Sequence, residues 1–540
     1  MPPESADVLI LGAGLAGLRA ALSCLEASPG LRVLVASATG SPSGSSFANQ
    51  NDALGIHVCR SDAEREAYVR EALALNRGAH LSLELLAVQA QEGEDRLKDL
   101  LDLGLNFRRD DTGALLGHSS CFSPHSRRAF VFTGLASAFA CFKARLDALG
   151  CLFAPGWLAA SIVTRRGAEA IIPPEPAAST SCPDAPQHAA TMAHGRAHRD
   201  GQSLRKQPER RDRQQSTEAC GAFLVPREGG EPVFVSARVV IAALGGPGRL
   251  FAHSMAGPGT PGYGHGLLLN AGTAMDNLGF LQFMWGTVPG RTFWQPAALG
   301  AGGYRVVLPD GRETSMEDIL SLSPDTAHPA DASRRRSLGS LQELCASRAE
   351  HCPFGYGLED SALDLALASG RDDSGIVRLI QPDGAPLLVA PMAHASNGGA
   401  IIDEHGQTSI PGLLACGECA TGMHGANRIG GGMVLATQVF GHRAGLHAAL
   451  LAHNSGDPDI CHAARETFMR EFAQDPAQRA EGLEWLATGL SRFAVPGSRS
   501  GRESFTQHLR QRLDTARDWR LRLSLLTALH VVQNVSRSLP

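Results

Sequence analysis

Apolar and polar positions alternate along the first 150 residues or so in a way that predicts strands followed by helices. Near the N-terminus an apolar run over residues 7–11 leads directly into a glycine-rich turn at residues 12–17, and a helical run continues to Leu25. Short apolar runs that alternate with helical periodicity are typical of βαβ units. The pattern therefore predicts an α/β fold with a parallel sheet.

The glycine-rich turn has the spacing of a dinucleotide-binding motif. Gly12 permits the tight turn, Gly14 allows the backbone to approach a pyrophosphate, and Gly17 lets the helix pack closely on the strand. The helix N-terminus also favours phosphate charge. Glycine-rich turns occur as plain strand-to-helix connections too, but the position directly after an apolar strand favours a bound dinucleotide.

Beyond the first segment the pattern changes several times. Residues 165–220 are rich in Pro, Ser and basic side chains and have almost no apolar periodicity, which predicts a disordered surface insertion. We interpret its basic cluster at residues 205–215 as a solvated linker rather than a docking site for an acidic partner. A pair of strand-like runs over residues 232–244 then ends at Gly245 and Gly246.

The remaining chain divides into three further regions by composition. An irregular stretch rich in Gly, Pro and aromatic residues is expected of a cap or substrate domain, a second glycine-dense block follows it, and the last stretch has helical periodicity. The predicted organisation is a dinucleotide-binding domain over residues 1–248, a cap over 249–389, the second part of the first domain over 390–455, and a helical region over 456–540.

Composition and charge narrow the class of protein. A chain of 540 residues exceeds a single ordinary core, and its net charge of -5 gives no electrostatic reason to expect nucleic acid. No apolar run approaches the roughly 20 residues that span a bilayer, and no basic segment precedes the first apolar run as in a signal peptide. The 12 cysteines lack a repeating framework, which is typical of reduced thiols. We therefore expect a cytoplasmic protein without membrane spans.

Cys416 and Cys419 form the one suggestive cysteine pair. Such a pair occurs in redox and metal sites, but metal sites usually need a second pair and none has suitable spacing here. Two small buried cysteines are the simpler interpretation, and no metal is predicted.

Several blocks, in the same order along the chain, resemble the flavoprotein subunits of fumarate reductase and succinate dehydrogenase, together with L-aspartate oxidase. The resemblance implies FAD as the cofactor. It also implies a Rossmann-like FAD-binding domain with an inserted cap (substrate) domain and a C-terminal helical segment. The blocks are residues 12–17, 43–50, 243–251 and the long final block of 394–399, 410–418 and 424–428.

The resemblance assigns cofactor contacts to four further groups of residues. A loop after the second strand can reach phosphate and flavin with its amides and hydroxyls, and a later turn would approach the flavin from the other side. Ser37 takes the ribose position, where a carboxylate is usual, and Ser45 stands where relatives with covalent flavin have a histidine, so non-covalent FAD is expected. The residues are Ser37; Gly44, Ser45 and Ser46; Gly245 and Gly246; and Gly417 and Glu418.

Two residues match substrate positions, and a third is a candidate. The resemblance assigns substrate binding to His394 and Arg428, and an arginine can hold a carboxylate with two hydrogen bonds. The cap of the family also carries a catalytic arginine, for which Arg335 in a run of three arginines is our candidate. A solvated surface is the alternative interpretation of such a run.

Other substrate positions depart from the family. Met284 and Trp285 follow Leu-Gln-Phe where a histidine is expected, the stretch 295–303 lacks the expected threonine, glutamate and arginine, and His265 replaces an acid. These changes predict a less charged pocket, for a substrate with fewer carboxylates or a bulkier apolar part. Succinate, fumarate and L-aspartate are therefore not the expected substrates.

Two functions remain open from the sequence. The first is an FAD-dependent oxidoreductase that transfers hydride between flavin and a small carboxylate, with a possible electron-transfer partner protein. The second is a flavin-binding subunit or scaffold without turnover of its own. An NAD-dependent dehydrogenase ranks below both, because the blocks at Gly245 and Gly417 would have no role in it.

Overall fold

The structure is a computed structural model that describes residues 1–123, 125–164, 218–322, 340–346, 348, 353–358, 361–454, 462–496 and 501–538. Most of the predicted insertion lies outside these residues. Strand β9 begins at Ala219, so the last two residues assigned to the insertion are strand.

The strands in the described residues are β1 (Ser5–Leu11), β2 (Val33–Ser37), β3 (Ala53–His57), β4 (Asn106–Phe107), β5 (Gly117–His118), β6 (Ala129–Thr133), β7 (Leu152–Pro155), β8 (Trp157–Thr164), β9 (Ala219–Pro226), β10 (Val233–Ala242), β11 (Met275–Asp276), β12 (Leu281–Thr287), β13 (Arg305–Val307), β14 (Glu313–Ser315), β15 (Val377–Ile380), β16 (Pro386–Ser396), β17 (Gly399–Ile401), β18 (Leu413–Ala415) and β19 (Ala420–Thr421).

The helices are α1 (Leu15–Ala27), α2 (Gly44–Phe47), α3 (Asp62–Leu75), α4 (Leu83–Asp102), α5 (Leu135–Ala148), α6 (Tyr263–Asn270), α7 (Met316–Leu322), α8 (Leu341–Ala346), α9 (Ser361–Ser369), α10 (Gly432–Asn454), α11 (His462–Glu471), α12 (Pro476–Phe493), α13 (Arg502–Thr515) and α14 (Trp519–Ser538).

The main sheet has the strand order β7-β2-β1-β10-β9-β8, and β18 also pairs with β10. Strand β1 runs parallel to β2 on one side and to β10 on the other, while β8, β9 and β10 form an antiparallel meander. The predicted α/β fold is confirmed. The pair of runs predicted before Gly245 is instead one strand, β10, because its apolar positions continue without a turn.

Two helices cover this sheet next to the glycine turn. A Cβ atom at Gly17 of α1 would lie 2.0 Å from the carbonyl oxygen of Gly12, so helix and strand approach closely there. On the other face of α1, a Cβ atom at Gly445 of α10 would lie 2.3 Å from the carbonyl oxygen of Ala20. Small residues thus set the position of α1 between β1 and α10.

The cap is built on an antiparallel sheet of order β12-β16-β15-β13-β14. Its apolar face shares one hydrophobic core with the C-terminal helices, in which residues such as Phe283 and Val377 pack with Leu490 of α12 and Leu525 of α14. The predicted C-terminal helices are present as α11 to α14. Helices α12 to α14 stabilise the cap through this core, whereas α11 packs on the main sheet, where the rings of Phe468 and Phe223 stack.

Candidate functional site

One cavity of about 1120 Å³ lies between the main sheet, the small β3-β6-β4 sheet and the cap. Its wall draws on both ends of the chain, from Leu11 to Thr437. Among the described residues that line it there are six arginines, two histidines and one acid, Glu418. The cavity is therefore built for anionic ligands.

The glycine turn forms one wall of the cavity. Gly12 has φ +114°, and a Cβ atom there would lie 2.2 Å from the carbonyl oxygen of Ala243. Gly14 precedes α1 without a side-chain cap, and the amide of Leu15 donates to Ser46 Oγ over 3.2 Å. This open helix N-terminus beside a serine hydroxyl fits a pyrophosphate.

The serines assigned to the cofactor line the same cavity. Ser37 ends β2 and donates its hydroxyl to the carbonyl oxygen of Thr39 over 2.7 Å. Ser45 Oγ accepts from the amide of Gly257 over 3.1 Å, and Gly44 has φ +67°. The loop that carries Gly44 to Ser46 is thus held against the segment after β10.

Gly245, Gly246 and Glu418 line the cavity next to the glycine turn. A Cβ atom at Gly246 would lie 2.2 Å from Glu418 Oε1, and this carboxylate oxygen accepts from the amide of Ser396 over 2.8 Å. Burial raises the pKa of Glu418, although its hydrogen bonds to backbone amides and the charge of Arg428 oppose that effect.

Gly17 and Gly417 do not line the cavity in the described structure. Gly417 has φ +75°, and a Cβ atom there would lie 2.7 Å from the Cβ atom of Ala16. Both glycines therefore act through packing: they let α1 approach the strand on one side and the turn of residues 417–419 on the other. Their neighbours in sequence, Ala16, Cys416 and Glu418, line the cavity instead.

Arg428 and His394, the two predicted substrate residues, lie in the wall of this cavity. Arg428 Nη2 donates to Gln282 Oε1 over 2.6 Å, and Gln282 Nε2 donates to the carbonyl oxygen of Arg428 over 3.1 Å. The Nε atom of Arg428 has no hydrogen-bond partner in the described structure, and burial lowers the pKa of its guanidinium. Gln282, which the sequence did not single out for this role, orients the arginine.

The cap side of the cavity is apolar next to His394. Met255 and Met284 line it and cluster with Met392, and the Phe293 ring lies 6.1 Å from the His394 ring in an edge-on arrangement. The sulfur atoms and the phenyl ring offer a polarisable, adaptable surface. Met284 thus supplies apolar contact where the family has a titratable group.

Trp285 faces the interior of the cap instead. Its indole Nε1 donates to Asp364 Oδ1 over 2.8 Å, and Arg348 Nη1 donates to Asp364 Oδ2 over 2.7 Å. The side chains of Arg348 and Asp364 are only 1% and 0% exposed. Leu299 is also buried away from the cavity, so of these altered positions Met284 is the one that lines it.

Neither Arg335 nor His265 is among the described residues that line the cavity. The candidate Arg335 lies outside the described residues, whereas Arg249, Arg291 and Arg348 contribute to the cavity wall. His265 does not line the cavity: it is fully buried, and its Nε2 lies 2.9 Å from the carbonyl oxygen of Gly398.

Tyr263, two residues before His265 in the overlapping Gly-X-Gly pattern, does line the cavity. His265, which replaces an acid of the family, therefore lies outside the cavity wall. Tyr263 is the first residue of α6, and its side chain lines the cavity. His265 follows half a helical turn later, so its side chain points into the core instead.

Cys416 lies in the wall of the cavity, and Cys419 lies in the core next to it. Both are free thiols, and Cys419 Sγ donates to the carbonyl oxygens of Ala242 and Cys416 over 3.3 and 3.4 Å. Burial raises the pKa of Cys419 to about 11, which keeps it protonated. In the part of the chain that is described, no three His, Cys, Asp or Glu side chains are grouped as metal ligands.

The chain is similar in sequence to proteins that bind FAD. The FAD binding domain family matches residues 7–434. L-Aspartate oxidase of Mycobacterium leprae is 27% identical over 512 residues, covering 91% of this chain and 85% of the relative. The fumarate reductase flavoprotein subunit of a Serratia species is 27% identical over 247 residues, covering 43% of this chain and 41% of the relative.

Solved structures show the same fold. Mycobacterium smegmatis Sdh1 in complex with UQ1 matches with a TM-score of 0.67 at 20% identity, covering 99% of this chain and 86% of that one. The FrdA subunit of an E. coli quinol fumarate reductase variant matches with a TM-score of 0.62 at 18% identity, covering 99% and 88%.

The fold and the cavity define a flavoprotein: the chain belongs to the FAD binding domain family, as an FAD-dependent oxidoreductase of the fumarate reductase, succinate dehydrogenase and L-aspartate oxidase type. The predicted family and cofactor are confirmed. Among the described residues, the helices are too short or too polar to cross a membrane.

Proposed function

We propose that the protein transfers hydride between FAD and a small carboxylate that is not succinate, fumarate or L-aspartate. The observation that carries this proposal is the wall of the cavity, where Arg428 and His394 stand together with Met255 and Met284 of the methionine cluster. FAD, when bound, supplies the site that accepts or donates the hydride.

Arg428 is the anchor for the substrate carboxylate in this proposal. Gln282 and the carbonyl oxygen of Ile429 already accept from its Nη atoms, and the buried Nε atom still has a free hydrogen. A buried guanidinium next to a cavity favours an anion strongly, because a charge-assisted hydrogen bond replaces lost solvation. Water is excluded on this side by Met284 and Met255.

His394 is the proton donor or acceptor next to this anchor. It lies near the end of β16, partly buried, and Phe293 packs on its ring. A histidine can exchange a proton with a substrate carbon near neutral pH. Met284 is apolar where the family has a titratable group, so the proposal assigns the proton step to His394.

The cofactor is held without a covalent bond in this proposal, because Ser45 has no nucleophilic ring nitrogen and its hydroxyl is engaged with Gly257. Cofactor contacts would come from the turn at Gly12 and Gly14, the loop at Ser46, and the wall at Glu418. A cytoplasmic location and an electron-transfer partner protein complete the proposal.

The alternative function is a flavin-binding subunit or scaffold without its own turnover. The apolar wall at Met284, where relatives have a titratable group, is the observation that favours it. Under this alternative the flavin would be bound, but no donor or acceptor would react with it at enzymatic rates.

An anaerobic screen distinguishes the two functions. The purified holoprotein is mixed with a panel of carboxylates, and the bands of oxidised flavin are followed. We expect at least one apolar carboxylate to bleach them in the wild type and none to do so in Arg428→Gln. A panel that leaves the wild-type flavin oxidised, with the dithionite-reduced form equally inert to unsaturated carboxylates, would support the scaffold.

A further inference from the structure

Two arginines at the mouth of the cavity have no role in the proposed function so far. Arg249 lies in the short helical turn Gly248–Leu250, and Arg291 lies in the loop after β12. Both line the cavity and both keep contact with solvent. Neither forms an ion pair with a carboxylate in the described part of the chain.

The two arginines meet at Ala256: its carbonyl oxygen accepts from Arg291, and a Cβ atom at Gly248, the residue before Arg249, would lie 3.2 Å from the Cβ atom of Ala256. The pKa of Arg249 is lowered by partial burial and by the positive charge of Arg291. The only acidic side chain among the described lining residues, Glu418, is committed to the amides of Ser396 and Gly246. Two like charges in a cavity wall without an opposing acid destabilise each other unless an anion binds between them.

Arg291 is held in place by the backbone. Its Nη2 donates to the carbonyl oxygens of Ser254 and Ala256, the latter over 3.3 Å. This segment runs beside β16, since the amide of Met255 donates to the carbonyl oxygen of Ala393 over 2.8 Å. Residue 393 directly precedes His394, so the arginine pair lies on the substrate side of the cavity.

Apolar side chains adjoin both cationic groups: Met255 lies between the two residues whose carbonyl oxygens accept from Arg291, and Met284 lies two residues after Gln282, which holds Arg428. Met255 and Met284 of the methionine cluster and the Phe293 ring line the cavity in this region. A ligand that meets both cationic groups must therefore carry two anionic groups with an apolar segment between them. A four-carbon dicarboxylate has its charges close together and no such segment.

We propose that Arg249 and Arg291 form a second anion subsite at the cavity mouth, which holds the distal carboxylate or phosphate of an elongated, two-ended anionic substrate. This inference rests on the proposed function, because it takes Arg428 as the anchor of the first carboxylate. Of the two substrate types open from the sequence, it selects the one with a bulkier apolar part.

Ligand binding to the oxidised holoprotein tests the subsite without turnover. Difference spectra of the flavin give dissociation constants for the dicarboxylates from succinate to suberate and for the monocarboxylates from butyrate to octanoate. In the wild type at low salt we expect a longer dicarboxylate to bind about tenfold more tightly than the monocarboxylate of equal length. Added salt should reduce this preference, because the mouth is exposed.

Variants identify the residues responsible. Arg249→Gln together with Arg291→Gln should abolish the preference and leave monocarboxylate binding unchanged, while Arg249→Lys should retain most of it. Arg378→Gln is the matched control, since this arginine is exposed on the cap sheet and does not line the cavity. Inorganic phosphate, as a competitor of the longer dicarboxylates, tests whether the subsite also accepts a phosphate.

Three results would overturn the inference: a preference that survives in the double variant, a wild type without any preference, or a loss of FAD from Arg249→Gln, which would assign the pair to the cofactor. Failure of the proposed function has a different signature. In that case Arg428→Gln would leave monocarboxylate affinity unchanged, whatever the mouth variants do.

Discussion

The two halves of the cavity are built by different means. On the cofactor side the backbone forms the wall: at Gly12, Gly246 and other positions a Cβ atom would overlap with backbone or carboxylate atoms at about 2.2 Å. On the cap side the wall consists of side chains such as Met284 and Phe293. A wall of backbone tolerates few substitutions, whereas a wall of side chains can change its ligand and leave the fold intact.

The largest effect should come from the backbone-built half. Gly17→Ala places a Cβ atom 2.0 Å from the carbonyl oxygen of Gly12, so strand and helix must move apart at the pyrophosphate site. We expect loss of bound FAD, or of soluble protein, although alanine is the better helix former by about 1 kcal/mol. The ratio of flavin to protein absorbance measures the effect.

Gly93→Ala in α4 is the control for this substitution, because the nearest neighbour of its Cβ atom would be the flexible Leu435 side chain, at 3.2 Å, and backbone atoms would lie no closer than 3.6 Å. Equal flavin content in both variants and in the wild type would contradict the close approach at Gly17.

The next effect concerns the cap core. Asp364→Ala leaves the buried Arg348 without its carboxylate, and breaking such a pair costs about 3–5 kcal/mol. Urea unfolding should detect this loss. Trp285→Phe removes a single hydrogen bond to Asp364, for which we expect about 1–2 kcal/mol. If the two variants were equally stable, the ion pair would not hold the cap together.

Arg428→Gln tests the side-chain half directly. Loss of a buried charge-assisted hydrogen bond should weaken carboxylate binding roughly 10- to 100-fold. FAD content should stay near the wild-type level, since the backbone cradle at Gly12 and Gly14 is untouched. Flavin difference spectra with a carboxylate titrant measure the binding. A variant with normal carboxylate affinity would remove Arg428 from the substrate site.

The sequence predicted the backbone-built half better than the side-chain half. The turn at Gly12 and Gly14 is local in sequence, so its spacing carries its geometry. The pairing of Gln282 with Arg428 and the Trp285-Asp364-Arg348 group join distant segments, and no spacing reveals them. Fold class, family and cofactor were predicted correctly.

The position of His265 shows what a local pattern leaves open. The overlapping patterns Gly-Tyr-Gly at 262–264 and Gly-His-Gly at 264–266 fit the same motif, and the side chains of Tyr263 and His265 point to different sides of α6. Only the packing of the helix decides between them, and packing depends on segments far away in the chain.

The smallest effect concerns this histidine. Burial lowers the pKa of His265 to about 4, below its ordinary value near 6.5. Between these values the unfolded chain binds a proton that the folded chain does not, so its contribution to stability is present above pH 6.5 or so and is lost as the pH falls towards 4.

His265→Leu should therefore weaken the pH dependence of the melting temperature over this range. The carbonyl oxygen of Gly398 keeps a donor in Ser396 Oγ. The flavin spectrum should stay unchanged, since His265 lies outside the cavity wall. A flavin spectrum that shifts in this variant would show that His265 affects the flavin site.

The contrast between a backbone-built cofactor cradle and a cap wall built from side chains is tested most directly by one measurement on the wild type. The holoprotein is reduced anaerobically with dithionite, and its reoxidation by fumarate is followed by stopped flow; L-aspartate and succinate are mixed with the oxidised form in parallel. We predict that FAD is bound and released by acid, and that none of the three compounds reacts with it at enzymatic rates. Rapid reoxidation by fumarate, or rapid bleaching by L-aspartate or succinate, would contradict the account.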